Sequence, residues 1–320
     1  MTDELRFDDR VAIVTGAGRN LGREYALLLA ARGARVVVND LGVGISDTDG
    51  VAEAPATNPA DEVVAEIVAA GGEAVANHDT IATAEGGAAI VRTALDAFGR
   101  VDVVVNNAGQ VRMAPFAEFL DEHIATVLDT QLRGALNVSR PAWRHMAERA
   151  AGGGPGGRFV NVASGAAFGG VPGGAVYGMA KLGVVGLTRA MAFEGRDAGI
   201  VANVIAPYAK TRPGTGFGPI PWSDALAEWL HPRLVAPLVG WLAHESCDVT
   251  GECFSVGAGH FARVVIELTD GWIDRDATVE SVAAHASAIL DGPATLVTPF
   301  ASDAVRRMFA GYDAAATSDA

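Results

Sequence analysis

The sequence predicts an α/β fold in which a parallel β-sheet is covered by helices on both faces. Short apolar segments rich in Val and Ile alternate with longer segments rich in Ala and Leu along most of the chain. Strands of a parallel sheet are buried on both faces and therefore read as near-continuous hydrophobic runs, while the helices form the crossover connections. A run of glycines follows the first apolar segment, as expected at the first strand-to-helix turn of a doubly wound sheet.

The predicted elements follow one another in a regular order. The chain has 320 residues, enough for one large domain with an ample core. We assign residues 6–261 to that single domain, and residues 262–320 to a C-terminal extension that is partly helical and disordered at its end. Strands are predicted at 11–15, 35–39, 73–77, 101–105, 158–163, 200–205 and 252–256. Helices are predicted near 20–32, 60–70, 85–98, 121–149, 175–195, 223–229 and 233–244.

Two further segments carry predictions of their own. Residues 210–222 follow the sixth strand and combine Pro and Gly with Phe217 and Trp222, which favours a lid over a substrate. In the extension, apolar residues at helical spacing predict a helix that packs onto the parent domain rather than onto a partner. These residues are Val279, Val282, Ala283, Ala286, Ile289 and Leu290.

The glycine run predicts a Rossmann-type dinucleotide site. Its spacing is Gly16-x-Gly18-x3-Gly22, between the strand at 11–15 and the helix at 20–32. Glycines let the backbone approach a pyrophosphate, and the helix N-terminus supplies free N–H groups and the positive end of its dipole. A lone glycine run could equally be an ordinary tight turn. The residues of the loop predicted to bind the cofactor are Gly16, Gly18, Arg19, Asn20, Leu21 and Gly22.

Asp40 strengthens this prediction and indicates which dinucleotide binds. It follows the second strand, 22 positions after Gly18. A carboxylate at this point accepts hydrogen bonds from the adenosine ribose hydroxyls, and its charge repels a 2′-phosphate. The sequence therefore favours NAD over NADP. Arg19 could still reach toward a phosphate, which leaves NADP as the alternative.

Three further residues have the properties of a site for proton and hydride transfer. Tyr177 and Lys181 are four residues apart in a predicted helix and therefore share one face. A free tyrosine has a pKa of about 10, and a nearby ammonium is expected to lower it and make Tyr177 a usable acid or base. Ser164 would donate a hydrogen bond to the substrate oxygen, where negative charge develops. Together with the glycine loop, these residues predict a nicotinamide-dependent oxidoreductase of alcohols and ketones.

In this order along the chain, the motifs resemble those of the short-chain dehydrogenases/reductases. The resemblance covers about residues 6–261 and includes Asn106-Asn107-Ala108-Gly109 after the fourth strand. Stretches such as Val36-Val37-Val38-Asn39-Asp40-Leu41-Gly42 are most similar to the dehydrogenase units of peroxisomal multifunctional enzymes of type 2 and their bacterial relatives. That resemblance implies interconversion of (3R)-hydroxyacyl-CoA and 3-oxoacyl-CoA, with Lys181 also binding the nicotinamide ribose.

The resemblance also assigns further site residues. Where the family commonly has an active-site asparagine, two residues before the basic-Gly pair, this chain has Gln131, which is assigned to the catalytic group. Where the family often has Pro-Gly after the sixth strand, this chain has Pro207-Tyr208, and Tyr208 is expected to narrow the nicotinamide end of the cleft. Further cofactor contacts are predicted for Asp79, Thr80, Asn106, Ala108, Gly109, Tyr177, Lys181, Pro207 and Thr211. Substrate contacts are predicted for Arg112, Met113, Phe168, Tyr208, Phe217 and Trp222.

Composition excludes several classes of function. The formal net charge is −14, and an acidic surface repels nucleic-acid phosphates. Two cysteines are too few for a disulfide framework and fit a reducing compartment. No apolar run reaches the roughly 18 residues of a spanning helix, and the start lacks the features of a secretory signal. We predict a cytoplasmic protein that binds no nucleic acid or membrane. No metal is expected, since no usual zinc spacing is met by His244, Cys247, Cys253 and His260.

Two classes of function remain open at this level. The favoured class is a dehydrogenase/reductase acting on a 3-hydroxyacyl or 3-oxoacyl thioester, with a bulky free ketone or alcohol of steroid or polyketide type as the alternative substrate. Arg112, Lys210 and Arg212 are the cations placed near the cleft for the phosphates of CoA. The other class is a cofactor-sensing protein without turnover, which only Gln131 supports. A homodimer or homotetramer is predicted because the helices at 121–149 and 175–195 are apolar on more than one face.

Overall fold

The computed structural model describes residues 4–43, 56–210, 229–291 and 293–296. The chain divides into two compact units, Met1–Ala262 and Arg263–Ala320. The predicted lid residues Phe217 and Trp222, most of the predicted helix at 223–229 and the chain end at 297–320 lie outside the described residues.

A mainly parallel sheet, whose last strand runs two residues past Ala262, forms the centre of the first unit. Its strands are β1 (Val11–Thr15), β2 (Arg35–Asn39), β3 (Glu73–Asn77), β4 (Val103–Asn106), β5 (Arg158–Val162), β6 (Val201–Tyr208), β7 (Cys253–Gly257) and β8 (His260–Val264). They lie in the order β3-β2-β1-β4-β5-β6-β7-β8. All pairs from β3 to β7 are parallel. Because the order reverses at β1, the edge between β1 and β4 is the switch point where ligands of such sheets bind.

Helices cover both faces of this sheet. They are α1 (Asn20–Ala31), α2 (Pro59–Ala69), α3 (Ala84–Phe98), α4 (Asp121–Leu128), α5 (Gly134–Ala151), α6 (Ala175–Glu194) and α7 (Ala236–Ala243). Alternate residues of a strand point to opposite faces. Val14 accordingly packs in the core with Tyr25 of α1, and its neighbour Ile13 packs in the opposite core with Ile90 of α3. The predicted doubly wound α/β fold is confirmed.

Most predicted boundaries differ from the structure by a few residues at most, and two elements of the first unit differ more. The helix predicted at 121–149 is interrupted between α4 and α5 by a π-helical turn, Asp129–Arg133. A π-helical turn is a local insertion inside an otherwise continuous helix, so the sequence predicts one helix through it. Strand β8 was not predicted, because three of its five residues are exposed, the other two are half-buried, and its hydrophobic pattern is weak.

The described part of the second unit consists of short strands and helices. Its strands β9 (Glu267–Thr269) and β10 (Ala294–Leu296) pair antiparallel, and between them lie the short helices α8 (Val279–Ala284) and α9 (Ala286–Asp291). Two short helices lie where the sequence predicted one. The helix is broken at His285, and no residue of either short helix is buried. Val279, for example, is 82% exposed.

Candidate active site

The residues predicted to bind cofactor and substrate converge on the carboxyl edge of the sheet. Gly16 follows β1, Asp40 follows β2, Ser164 lies two residues beyond β5, and Tyr208 is the last residue of β6. Because these strands are parallel, their ends meet at one edge. The fold therefore places these chemically distinct groups around one cleft.

The glycine loop is built for close backbone approach. Gly16 has a positive φ of 60°, and a Cβ added there would lie 2.8 Å from the Cα of Ala108. A Cβ on Gly22 would lie 2.2 Å from the carbonyl oxygen of Gly16. Asn20, with a φ of 48°, takes the left-handed conformation that asparagine tolerates better than most residues. Side chains at the first and third glycine would thus collide with the backbone that forms the cradle.

The N-terminus of α1 is open to an anion. Arg19 is its N-cap residue but makes no side-chain capping bond, and the first turn contains no acidic residue. The first backbone N–H groups of a helix have no partner within the helix, and the dipole there favours negative charge. An uncapped helix start behind a glycine loop fits the pyrophosphate of a dinucleotide.

Thr15 and Asn107 hold this loop, and sequence reasoning did not select either. The Thr15 hydroxyl accepts hydrogen bonds from the backbone N–H groups of Asn107 and Ala108, both at 3.1 Å. The Asn107 amide donates to the carbonyls of Thr15 (2.9 Å) and Gly16 (3.0 Å). These bonds join the ends of β1 and β4 at the switch point. The only sequence signal was the Asn106-Asn107-Ala108-Gly109 stretch itself.

Asp40 lies against the glycine loop. Its carboxylate accepts hydrogen bonds from the backbone N–H groups of Gly18 (3.1 Å) and Gly42 (2.9 Å). The carboxylate is therefore fixed beside the loop, at the position expected for contact with an adenosine ribose. Asp79 and Thr80 follow β3 on the same edge. The Asp79 carboxylate accepts from the Asn77 amide at 2.8 Å, and the Thr80 hydroxyl accepts from the backbone N–H of Ala82 at 3.2 Å.

The side chain of Asn106 lies inside the protein rather than in the cleft. Its amide donates to the Ser139 hydroxyl at 2.9 Å and to the Asn161 carbonyl oxygen at 2.8 Å, all three residues being buried. Asn161 in turn donates to Thr188 of α6 at 2.9 Å. This network connects β4 and β5 to α5 and α6. In the segment 106–109, contact with a cofactor would therefore be made by the backbone of Asn106 or by Ala108 and Gly109.

Ser164, Tyr177 and Lys181 form a compact group beside the ends of β5 and β6. The Ser164 hydroxyl accepts from the backbone N–H of Ala166 at 3.2 Å and is hydrogen-bonded to Tyr177. Tyr177 and Lys181 share the buried face of α6, 8% and 4% exposed respectively. The Lys181 ammonium nitrogen lies 5.7 Å from the centre of the Tyr177 ring and donates to the Val162 carbonyl at 2.6 Å. The three predicted groups are thus brought together.

Burial sets the protonation of this group in the free protein. It raises the pKa of the Tyr177 hydroxyl, and the hydrogen bond with Ser164 opposes that increase. Burial also lowers the pKa of the Lys181 amine to about 7. The expectation that Lys181 lowers the pKa of Tyr177 is therefore wrong for the free protein. Desolvation of the phenol dominates, because a lysine with a pKa near 7 is only partly charged at neutral pH.

Gln131 lies in the π-helical turn and is buried against Gly109 and Gln110. Its amide donates to the Gln110 carbonyl at 2.9 Å, and the hydroxyl of the adjacent Thr130 accepts from the Gln110 N–H at 3.0 Å. A Cβ on Gly109 would lie 2.3 Å from the end of the Gln131 side chain, so the two residues are in close contact. Within the described residues, the Gln131 carbonyl oxygen is buried without a hydrogen-bond partner.

The other predicted site residues that the structure describes are Arg112, Met113, Phe168, Pro207 and Tyr208. The Arg112 guanidinium donates to the Val111 carbonyl at 3.0 Å, and Met113 approaches Gly174. Phe168 is 40% exposed and Tyr208 is 47% exposed. Pro207 pairs with Val256 of β7. Thr211, Arg212, Phe217 and Trp222 lie outside the described residues.

Two further observations bear on possible ligands and partners. In the described ranges, no group of three or more His, Cys, Asp or Glu side chains is arranged to hold a metal ion. No helix in the part of the chain that the structure describes has both the length and the hydrophobicity to cross a bilayer.

A glycine loop suited to a dinucleotide, beside a half-buried serine and a buried tyrosine and lysine, is the arrangement expected of an oxidoreductase that acts on CH–OH groups. The family model described as short chain dehydrogenase matches residues 10–213, and the chain belongs to that family.

Similar proteins agree with this assignment. Peroxisomal multifunctional enzyme type 2 of Mus musculus is 46% identical over 275 residues, which cover 86% of this chain and 35% of the mouse enzyme. The chain thus spans about a third of that relative. A short-chain type dehydrogenase/reductase of Mycobacterium tuberculosis is 44% identical over 284 residues, covering 88% of this chain and 94% of the relative. The crystal structure of a short chain dehydrogenase from Mycobacterium avium matches with a TM-score of 0.78 and 36% identity, covering 92% of this chain and 99% of that one.

The names of two further relatives state a substrate. A 3-oxoacyl acyl-carrier-protein reductase of Synechocystis is 35% identical over 255 residues, covering 78% of this chain and 96% of the relative. A hydroxyacyl-CoA dehydrogenase of Mycobacterium tuberculosis is 36% identical over 261 residues, covering 80% of this chain and 79% of the relative.

Proposed function

We propose that the chain is an NAD(H)-dependent oxidoreductase that interconverts 3-hydroxyacyl and 3-oxoacyl thioesters through Ser164, Tyr177 and Lys181. The observation that carries the proposal is that these three side chains lie together at the carboxyl edge of the sheet. The glycine loop lies at the same edge. A binding protein without turnover would not require a buried phenol and a buried amine on one helix face.

Each of the three side chains has a distinct task in this mechanism. The bound nicotinamide supplies or accepts the hydride at C3 of the substrate. Tyr177 gives its proton to the C3 oxygen during reduction and takes it back during oxidation. Its raised pKa keeps the phenol protonated at neutral pH, which is the form that reduction needs. Ser164 donates a hydrogen bond to the same oxygen. Lys181 binds the nicotinamide ribose and, when charged, favours the phenolate that oxidation needs.

Asp40 favours NAD over NADP, because its carboxylate can bind the adenosine ribose and repels a 2′-phosphate. Asp40→Ala is expected to weaken the binding of NAD by about tenfold or more, because it removes charge-assisted hydrogen bonds to the ribose. Asp40→Ala should also reduce the difference between the affinities for NAD and NADP, because it removes the charge that repels a 2′-phosphate. Asp40→Asn is the matched variant, since it removes the charge but keeps an oxygen for the Gly18 N–H. Equilibrium binding of both dinucleotides to the three proteins measures this, and an unaltered protein that prefers NADP would contradict the assignment.

Two kinds of support favour a thioester substrate over a free ketone. Relatives with 35% and 36% identity are named for 3-oxoacyl and hydroxyacyl thioesters. In addition, Arg112 and Lys210 supply cations on the loops around the cleft of a chain whose net charge is −14. CoA needs such cations for its phosphates, whereas a neutral ketone does not.

The substrate assignment can be tested through salt dependence. Acetoacetyl-CoA and a neutral ketone are compared at low and high ionic strength, with the wild type and with Arg112→Ala. For acetoacetyl-CoA, we expect KM to rise with salt, because exposed charges are screened, and to rise in Arg112→Ala. Arg92→Ala removes an exposed arginine of α3 and serves as the matched control. Equal efficiency on both substrates, or a thioester rate indifferent to salt and to Arg112, would favour the bulky ketone or alcohol.

We further propose a homodimer or homotetramer formed through α5 and α6. These helices expose Leu136, Met179, Leu182 and Phe193, which are 39%, 55%, 48% and 51% exposed. Removing such side chains from water is the main driving force of association. Light scattering at micromolar concentration should therefore give at least twice the mass of the chain, and Leu182→Glu should reduce it. A monomer mass for the unaltered protein would refute this arrangement.

A further inference from the structure

Tyr208 occupies a fixed position directly beside the candidate catalytic group. It ends β6, pairs with Gly257 of β7, and lies at the same sheet edge as Ser164. A Cβ on Gly257 would lie 2.3 Å from the Tyr208 carbonyl oxygen, so β7 packs tightly against the Tyr208 backbone. The position of the Tyr208 backbone is therefore set by the sheet and not by the segment that follows it.

The phenol of Tyr208 rests on the residue that follows Ser164. A Cβ added to Gly165 would lie 2.0 Å from the Tyr208 hydroxyl oxygen and 2.6 Å from the ring carbon that carries it. The hydroxyl thus contacts the backbone of Gly165, one residue from the Ser164 hydroxyl. Within the described residues it has no hydrogen-bond partner, and the side chain is 47% exposed. A donor is therefore available at the mouth of the site.

The chemistry of a 3-oxoacyl thioester calls for a second donor. Such a substrate has two carbonyl oxygens, one on C3 and one on the thioester carbon C1, separated by a single methylene. Ser164 and Tyr177 would bind only the oxygen on C3. A ketone without the thioester carbonyl has no acceptor for a second donor. A hydrogen bond at C1 therefore distinguishes the two classes of substrate.

We propose that the Tyr208 hydroxyl donates a hydrogen bond to the thioester carbonyl and thereby selects 3-oxoacyl and 3-hydroxyacyl thioesters over simple ketones and alcohols. This inference rests on the proposed function of the same site. It assigns to Tyr208 a role in substrate specificity, whereas proton transfer stays with Tyr177. The ring of Tyr208 covers Gly165, and its hydroxyl donates to the thioester carbonyl on C1.

The test uses two substrates that differ only at C1. Acetoacetyl-CoA has the thioester carbonyl, and the thioether S-(3-oxobutyl)-CoA has a methylene in its place but keeps the ketone and the whole of CoA. Tyr208→Phe keeps the ring and removes the hydroxyl. We expect it to lower kcat/KM for acetoacetyl-CoA by about 3- to 10-fold, the effect of one neutral hydrogen bond. Efficiency with the thioether and the dissociation constant of NADH should not change.

The combination of two enzymes and two substrates forms a cycle that isolates the contact with C1. An equal loss on both substrates, or no loss on either, overturns the role of Tyr208. A wild-type enzyme that reduces the thioether or a free ketone but not acetoacetyl-CoA overturns the proposed thioester function, and this inference with it. The wild-type rates therefore test the function, and the ratio of variant to wild type tests Tyr208. Tyr25→Phe removes a hydroxyl that is buried in α1, and it serves as the control.

Discussion

Replacing Tyr177 by Phe is expected to lower turnover by about 100-fold or more while leaving the affinity for NAD nearly unchanged. The substitution removes only the hydroxyl that would exchange the proton with the substrate. It keeps the ring, which packs in the cluster of Val127, Val176 and Ala180, so the fold of α6 should be retained. Steady-state kcat and the equilibrium dissociation constant of NAD are measured separately on the same preparation.

Tyr25→Phe is the matched control for this substitution. The Tyr25 hydroxyl is fully buried in α1 and has no hydrogen-bond partner within the described residues. Its loss should leave both kcat and NAD binding unchanged. Retention of more than about a tenth of the wild-type rate by Tyr177→Phe would remove the proposed acid–base role, since general acid–base catalysis typically contributes 10² or more.

The fold and the cofactor loop could be predicted because their signals are local. Strand and helix periodicity identified β1 to β7 with boundaries that differ by no more than a few residues. The glycine spacing and Asp40 belong to one β-α-β unit, where the order of elements fixes what meets at the sheet edge. The four-residue spacing of Tyr177 and Lys181 likewise follows from helix geometry alone.

Other parts of the site depend on contacts that no local pattern encodes. Thr15 lies next to Asn107 because β1 and β4 are neighbours in the sheet, although 92 positions separate them in the chain. The π-helical turn that brings Thr130 and Gln131 onto Gln110 lies within a segment that the sequence predicts as one continuous helix, so the turn was not predicted. Asn106 was predicted to bind the cofactor, but the orientation of its side chain is set by hydrogen bonds to the buried residues Ser139 and Asn161.

The electrostatics of the site was the least predictable part. Sequence spacing correctly placed an amine beside a phenol but gave no measure of how deeply both are buried. Burial acts on the two groups in opposite directions, since it disfavours the charged form of each: the pKa of Tyr177 rises and that of Lys181 falls. In the free protein the pair therefore has less charge than the sequence suggested.

The low pKa of Lys181 predicts that NAD binding takes up a proton. In the free protein this pKa is about 7. Ribose hydroxyls that accept hydrogen bonds from the amine favour its charged form, so the pKa should be higher in the complex. The favourable contribution is then fully present below pH 7 and is lost as the pH rises from there toward the pKa of the complex. In that window the dissociation constant of NAD should increase with pH, by at most about tenfold per unit.

The lowered pKa of Lys181 should also make the free energy of unfolding depend on pH, in a direction that can be predicted. Lysine in the unfolded chain has a pKa of about 10.4, so folding releases a proton from Lys181 between pH 7 and that value. The unfolded state binds more protons in this window, and the contribution of Lys181 to the free energy of unfolding therefore grows as the pH rises. Lys181→Met should remove this contribution, which urea denaturation of both proteins at pH 7 and pH 9 can measure.

Lys181→Met is expected to lower turnover by about 100-fold or more and to weaken NAD, because it removes both the ribose contact and the cation beside Tyr177. Calorimetric titration with NAD at pH 8, in buffers with different ionisation enthalpies, gives the number of protons taken up. The wild type should take up a large fraction of one proton, while Lys181→Met should take up almost none. Arg92→Ala, which removes an exposed cation of α3, should behave as the wild type. If Lys181→Met binds NAD with an unchanged dissociation constant and unchanged proton uptake, the amine does not contact the ribose and the pH dependence has another source.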